Sequence, residues 1–185
     1  MYNIVFRVLL PIVALQGCTP LADEHVLLDD ACAVAVAHAA SFKRDESRPI
    51  AIRPSPVFGT PTVGELDAIL AKMPDASGDL GVLLMRKAAK EQDAVVVDRC
   101  PSLKIWLSNS NVISSNSEID RLTRKEPWPV AVLTMSLPAV SDDASTALIY
   151  VSEDWGGLAG GTYAVTYRKE AGKWIERERE QLSIS

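Results

Sequence analysis

The chain has 185 residues and a formal net charge of −5, with 48% apolar and 23% charged residues. This balance indicates a globular protein rather than a disordered one, and the length suffices for one domain of ordinary size. Lysine and arginine form no cluster along the sequence. This argues against a nucleic-acid partner and against a polybasic membrane-binding patch.

The N-terminus has the pattern of a targeting segment. Residues 8 to 15 form an apolar run after Arg7, which is shorter than the ~20 residues that span a bilayer and typical of a secretory signal. The run closes on the letters LQGC, ending at Cys18. This ending resembles the lipobox of bacterial lipoproteins, in which an aliphatic residue at −3 and a small residue at −1 precede a cysteine that is lipidated and becomes the new N-terminus. An ordinary signal peptide cut nearby, or a first core strand with a buried thiol, is the alternative.

The resemblance implies a signal peptide over 1–17, a lipidated N-terminus and tether over 18–23, and a single domain over 24–185. Several acyl chains at Cys18, palmitate among them, would anchor the protein firmly. Thr19 stands where some bacteria place the aspartate that retains lipoproteins in the inner membrane. The expected location is therefore the outer membrane, facing the periplasm.

That compartment permits disulfides, and two cysteines remain, Cys32 and Cys100. We predict that they are bonded. Closing a loop of 68 residues would stabilise the fold by roughly 3 to 5 kcal/mol on the chain-entropy model. Two unrelated buried thiols are the alternative, since free cysteine packs as a small hydrophobe.

The first predicted element of the domain is a helix from Asp23 to Arg44, rich in alanine and free of proline and glycine. Asp29 and Asp30 lie away from its apolar face, and we expect both to be solvated. Residues at helical spacing form that face: Leu27, Ala31, Val34, Ala35, His38 and Phe42.

The middle of the chain is more broken. Four prolines between residues 49 and 61 predict an extended arm on the surface. Helices are expected from Thr62 to Met73, opened by a capping box, and from Leu80 to Gln92. The β-branched run at 95–97 and the alternating apolar residues at 103, 105 and 107 each predict a strand.

From residue 129 onward the sequence predicts an antiparallel meander, in four short runs rich in β-branched and aromatic residues. Gly172 supplies the turn of the last hairpin. The predicted class is α+β, with N-terminal helices packed on an antiparallel sheet of about four or five strands. The end of the chain also resembles the C-terminal hairpin of a loose group of small secreted bacterial proteins of unassigned function, and this resemblance supports only the sheet.

The glycine-rich stretch at 153–161 is the most unusual part of the domain. It lacks the patterns of phosphate-binding loops, and the glycines are typical of a turn. Asp154, Trp155 and Leu158 are the candidate binding residues, because a tryptophan on a loop tip can anchor an interface. Trp155 folded back onto the sheet is the alternative.

No catalytic motif or cofactor site is recognisable in the sequence. His25 and His38 would lie about 20 Å apart on one helix, too far to share a metal ion. The first hypothesis is therefore a lipid-anchored, non-enzymatic envelope protein that binds a protein partner, as an inhibitor, immunity protein or accessory factor. A hydrolase using the carboxylates of Glu153 and Asp154, and a carrier of small ligands, are the alternatives.

Overall fold

The computed structural model describes residues 24–57, 79–91, 93–157 and 159–184. The helices in these ranges are α1 (Glu24–Asp45), α2 (Asp79–Lys90), α3 (Val96–Arg99), α4 (Pro101–Asn109) and α5 (Asn116–Leu122). The strands are β1 (Ile50–Arg53), β2 (Ala131–Met135), β3 (Ala139–Val140), β4 (Thr146–Asp154), β5 (Gly160–Glu170) and β6 (Lys173–Ile184). The predicted α+β class is confirmed.

The strands form one mixed sheet in the order β1-β2-β4-β5-β6, and the short β3 pairs with β4. The predicted C-terminal meander is confirmed, since β4, β5 and β6 pair antiparallel in sequence order. The strand β1 pairs parallel with β2, with Ile50 opposite Ala131. The last hairpin turns at Ala171 and Gly172, which have φ of 48° and 78°.

Both faces of the central strand β4 are covered. Its odd-numbered residues, such as Ile149, pack in the same core as α1 and α4. Its even-numbered residues Leu148 and Tyr150 pack with Leu84 and Met85 of α2 on the other face. The apolar sequence of β4 is continuous because both faces are buried.

The helix α1 is the main element on one side of the sheet, and its predicted extent is confirmed within a residue at each end. Its apolar face packs into the core, with Val34 and Ala35 fully buried and His38 only 1% exposed. By length and composition alone α1 would qualify as a membrane span. The predicted disulfide joins it to the residue before α4, with the Cys32 and Cys100 sulfurs 2.19 Å apart.

Two strand predictions in the middle of the chain are wrong. The run at 95–97 leads into α3, and the alternating residues at 103–107 lie in α4. Pro101 occupies the first turn of α4, where proline is favoured. Leu103 and Leu107 are buried one helical turn apart, whereas Ile105 is 63% exposed. The helix α5 lies in the stretch rich in serine and asparagine that follows.

Two predictions of exposure are also wrong. The arm after Pro49 enters the sheet as β1, in which Ile50, Ala51 and Ile52 are buried. Asp30 is only 7% exposed, because α1 packs against the β5–β6 hairpin. There its Oδ1 accepts hydrogen bonds from Lys169 Nζ at 2.6 Å and from the Trp174 indole at 3.2 Å. The helix predicted over 62–73 lies outside the described residues.

Candidate functional site

Trp155 begins the loop between β4 and β5, and it is folded back rather than exposed at the loop tip. Its indole nitrogen donates a hydrogen bond to Glu46 Oε2 at 2.5 Å, just after the end of α1. Its ring packs against Phe42, with the centroids 6.1 Å apart. The structure therefore shows Trp155 folded back, although onto Phe42 and Glu46 at the C-terminal end of α1 and not onto the sheet as the alternative had it. The side chain closes one wall of a cleft instead of projecting into solvent.

This cleft, of about 600 Å³, lies between the C-terminal end of α1, the end of β4 and the middle of β6. Among the described residues, four carboxylates and two guanidinium groups line it, which gives a formal charge of −2. They belong to Asp45, Glu46, Glu153, Glu176, Arg177 and Arg179. We call it the acidic cleft. It brings Trp155 and Glu153 together with acidic and basic residues at the end of α1 and in β6. The sequence analysis did not identify these charged residues as candidate site residues.

Polar contacts form a ring in and beneath the floor of the acidic cleft. His38 Nδ1 lies 2.8 Å from the Tyr167 hydroxyl, and that hydroxyl donates to Glu176 Oε2 at 3.3 Å. Arg179 donates to Glu176 Oε1 at 3.0 Å and to Glu153 Oε1 at 2.6 Å. The ring closes where Glu153 Oε1 lies 3.6 Å from His38 Nε2.

His38 takes part in this ring through both of its ring nitrogens. Its Nδ1 shares a hydrogen bond with the Tyr167 hydroxyl, in which the donor is set by the tautomer of the imidazole. The other nitrogen, Nε2, is buried and has no hydrogen-bond partner among the residues that the structure describes. It faces the carboxylate of Glu153 across a distance longer than a hydrogen bond.

A β-bulge in β6 makes this arrangement possible. Val165 pairs with Arg179 and Tyr167 pairs with Glu176, with a register shift between Thr166 and Tyr167. Glu176 and Arg179 are three residues apart, so in a regular strand they would point to opposite faces of the sheet. The extra residue of the bulge places both on the face that α1 covers.

The environment shifts the pKa values of three groups of the ring, Glu153, Tyr167 and Arg179. Burial opposes ionisation of Glu153, but His38 and Arg179 outweigh it and hold the pKa of Glu153 below its usual range. Burial raises the pKa of Tyr167, and the charge of Glu176 raises it further, so the phenol stays protonated. Burial also opposes the charge on Arg179, yet Glu176 and Glu153 raise its pKa.

Glu46 on the opposite wall is ionised as well. Burial disfavours its charge, but hydrogen bonds from Arg48 and Trp155 lower its pKa to about 2. A hydrolase that uses two carboxyl groups needs one of them protonated near neutral pH, to act as the general acid. The pKa values of Glu46 and Glu153 are instead both lowered, so both carboxyl groups are ionised near neutral pH. The acidic cleft is thus better suited to holding positive charge than to donating a proton.

The other predicted site residues are placed as follows. Asp154 lies at the end of β4, where the Ser152 hydroxyl donates to its Oδ2 at 3.1 Å. Leu158 and Cys18 lie outside the described residues. Within 24–57, 79–91, 93–157 and 159–184, no group of three or more His, Cys, Asp or Glu side chains is arranged to hold a metal ion.

Comparison with protein-family models, curated proteins and solved structures finds no match to this chain.

Proposed function

We propose that this protein is a lipid-anchored protein of the bacterial cell envelope that faces the periplasm and binds a protein partner without catalysing a reaction. The LQGC ending at Cys18 supports the anchor. The acidic cleft supports the binding role, and the observation that carries it is the pairing of its charges. Glu153 and Glu176 share one arginine, so the floor retains excess negative charge in a fixed arrangement.

The partner expected from this chemistry is a basic segment of another envelope protein. A lysine or arginine side chain entering the cleft would meet carboxylates that are already ionised and oriented. The Trp155 ring offers a flat apolar surface beside them, on which a guanidinium group can stack. An inhibitor or an immunity protein would use such a cleft to hold its target.

The cleft part of the proposal is tested with charge variants of the full chain. Asp45 is suitable because its side chain is 68% exposed at the rim of the cleft, so Asp45→Arg should scarcely affect stability. Asp93→Arg is the matched control, since it makes the same charge change at an exposed site that does not line the cleft.

Tagged wild-type and variant chains are used to capture proteins from an envelope extract, and the bound proteins are quantified by mass spectrometry. We expect one stoichiometric partner that is lost with Asp45→Arg and with added salt but retained with Asp93→Arg. A partner captured equally by all three chains would exclude the cleft as its binding site.

The anchor is tested separately. Cells that express the chain are grown with an alkyne-tagged palmitate analogue, and the purified protein is examined for label. Label on the wild type and none on Cys18→Ser is the expected result. Equal label on both chains, or none on either, would contradict lipidation at Cys18 without bearing on the cleft.

A further inference from the structure

A second cavity lies toward the opposite end of α1 from the acidic cleft, between the N-terminal half of α1, the C-terminal half of α2 and β3. Its volume is about 480 Å³, within the ~300–1,000 Å³ typical of small-molecule pockets. Apolar side chains form its floor, among them Leu27, Leu28, Leu137 and Val140. We call it the apolar groove. A purely polar ligand would leave this floor uncovered.

The rim of the apolar groove has the opposite charge to the protein as a whole. Among the described residues, Lys87, Lys90 and Arg99 line it with one carboxylate, Glu91, and with His25, although the chain carries a net charge of −5.

Two of the three rim cations already have partners. Lys87 donates to Asp142 at 2.5 Å, and Arg99 lies 3.7 Å from Glu91. Lys90 is exposed at the end of α2, and it forms no ion pair with another described residue. The positive charge left over is therefore centred on Lys90.

We infer that the apolar groove binds an anionic lipid with a single alkyl chain, such as a fatty acid or a lysophospholipid. The alkyl chain lies along the floor, where burial of its methylene groups favours binding. The anionic head lies at the rim beside Lys90. A carboxylate and a phosphate share this requirement, so the charge of the head and the apolar tail together define the ligand class.

The position of the groove along the chain also supports a lipid ligand. This support rests on the proposed lipid anchor at Cys18. The groove includes the first turns of α1, and Glu24 is six residues after Cys18. Six extended residues reach about 20 Å. An acylated Cys18 would therefore hold the mouth of the groove close to the membrane surface, where single-chain lipids occur.

Photolabelling of the full chain tests the inference. The chain is reconstituted in phosphatidylcholine vesicles and irradiated with either of two probes, a diazirine-bearing dodecanoate or the matching uncharged dodecanol. Labelled peptides are located by mass spectrometry. We expect dodecanoate to label α1 near Leu28 and the segment around Val140, several times more strongly than dodecanol does.

Three variants distinguish the parts of the site. Lys90→Glu should reduce dodecanoate labelling about threefold or more and leave dodecanol labelling unchanged, because it reverses only the charge at the rim. Leu28→Gln should reduce labelling by both probes. Lys125→Glu, the same change at an exposed lysine that does not line the groove, should alter neither.

Equal labelling by the two probes in the wild type, or an unchanged dodecanoate signal in Lys90→Glu, would overturn the inference. Labelling confined to peptides outside the groove would also overturn it. The intact mass of the same sample shows whether Cys18 carries acyl chains. The experiment therefore distinguishes a chain that is not lipidated at Cys18 from a groove that does not bind the lipid probe.

Discussion

The disulfide between Cys32 and Cys100 should be the largest single covalent contribution to the stability of the domain. It closes a loop of 68 residues, for which the chain-entropy model gives about 4 kcal/mol at 25 °C. In this model the bond raises the free energy of the unfolded state, because it reduces the number of conformations that the unfolded chain can adopt. For a protein of this length it corresponds to roughly 8 to 16 °C in Tm.

Urea unfolding of the oxidised and the reduced wild-type protein, followed by tryptophan fluorescence, measures this contribution. The reduced protein retains both sulfur atoms, so the comparison excludes the packing loss that alanine variants would add at these buried positions. The double variant Cys32→Ala, Cys100→Ala should be less stable than the reduced wild type by about 1 to 2 kcal/mol, which is that packing loss.

A difference below about 1 kcal/mol between the oxidised and reduced proteins would refute the loop-closure reasoning. It would mean that other contacts already hold these segments together in the unfolded chain. Two alkylatable thiols at Cys32 and Cys100 in unreduced, unfolded protein would refute the bond itself.

Three further predictions concern the acidic cleft and its loop. Gly156→Ala should destabilise the protein by about 2 to 3 kcal/mol in urea unfolding, because φ is +89° and a Cβ would lie 2.9 Å from the ring of Trp128. Gly157→Ala, at φ +63° in open space, should cost only about 1 kcal/mol, and equal losses would refute the contact. Glu153→Gln should cost about 1 to 2 kcal/mol at pH 7 by the same method, because Arg179 keeps its other carboxylate partner, and an unchanged midpoint would contradict this. The pKa of Glu46 falls from 4.5 to about 2 on folding, so the stability it provides is present above pH 4.5 and lost as the pH falls toward 2. The difference in unfolding free energy between wild type and Glu46→Gln should shrink across that range, and a constant difference would contradict the assignment.

The sequence predicted best those elements whose pattern is local. The helix α1 has a continuous apolar face, and the strands β4 to β6 are separated by turn residues such as Gly172, so each could be located from a short window. Helix α4 was missed because leucines at 103 and 107 fit both a strand and a helix. The structure resolves this ambiguity through Pro101 in the first turn and the burial of both leucines on one side.

The acidic cleft could be predicted only in part. Glu153 and Trp155 were recognised as unusual, but their partners Glu46 and Glu176 belong to distant segments brought together by the packing of α1 on the sheet. Regular alternation in β6 would place Glu176 and Arg179 on opposite faces of the sheet. The bulge that reunites them has no glycine or proline to mark it in the sequence.

The helix α1 packs against segments that are synthesised much later, and this has a consequence for biosynthesis. His38 contacts Tyr167, which is 129 residues later, and Asp30 contacts Trp174, which is 144 residues later. Until those late segments have been synthesised and exported, the apolar face of α1 lacks the strands that cover it in the folded protein. Alone, α1 has the length and hydropathy of a membrane span. A charged carboxylate within a membrane span opposes insertion, so Asp30, which binds the last hairpin in the folded protein, also opposes the transfer of α1 into a bilayer before folding is complete.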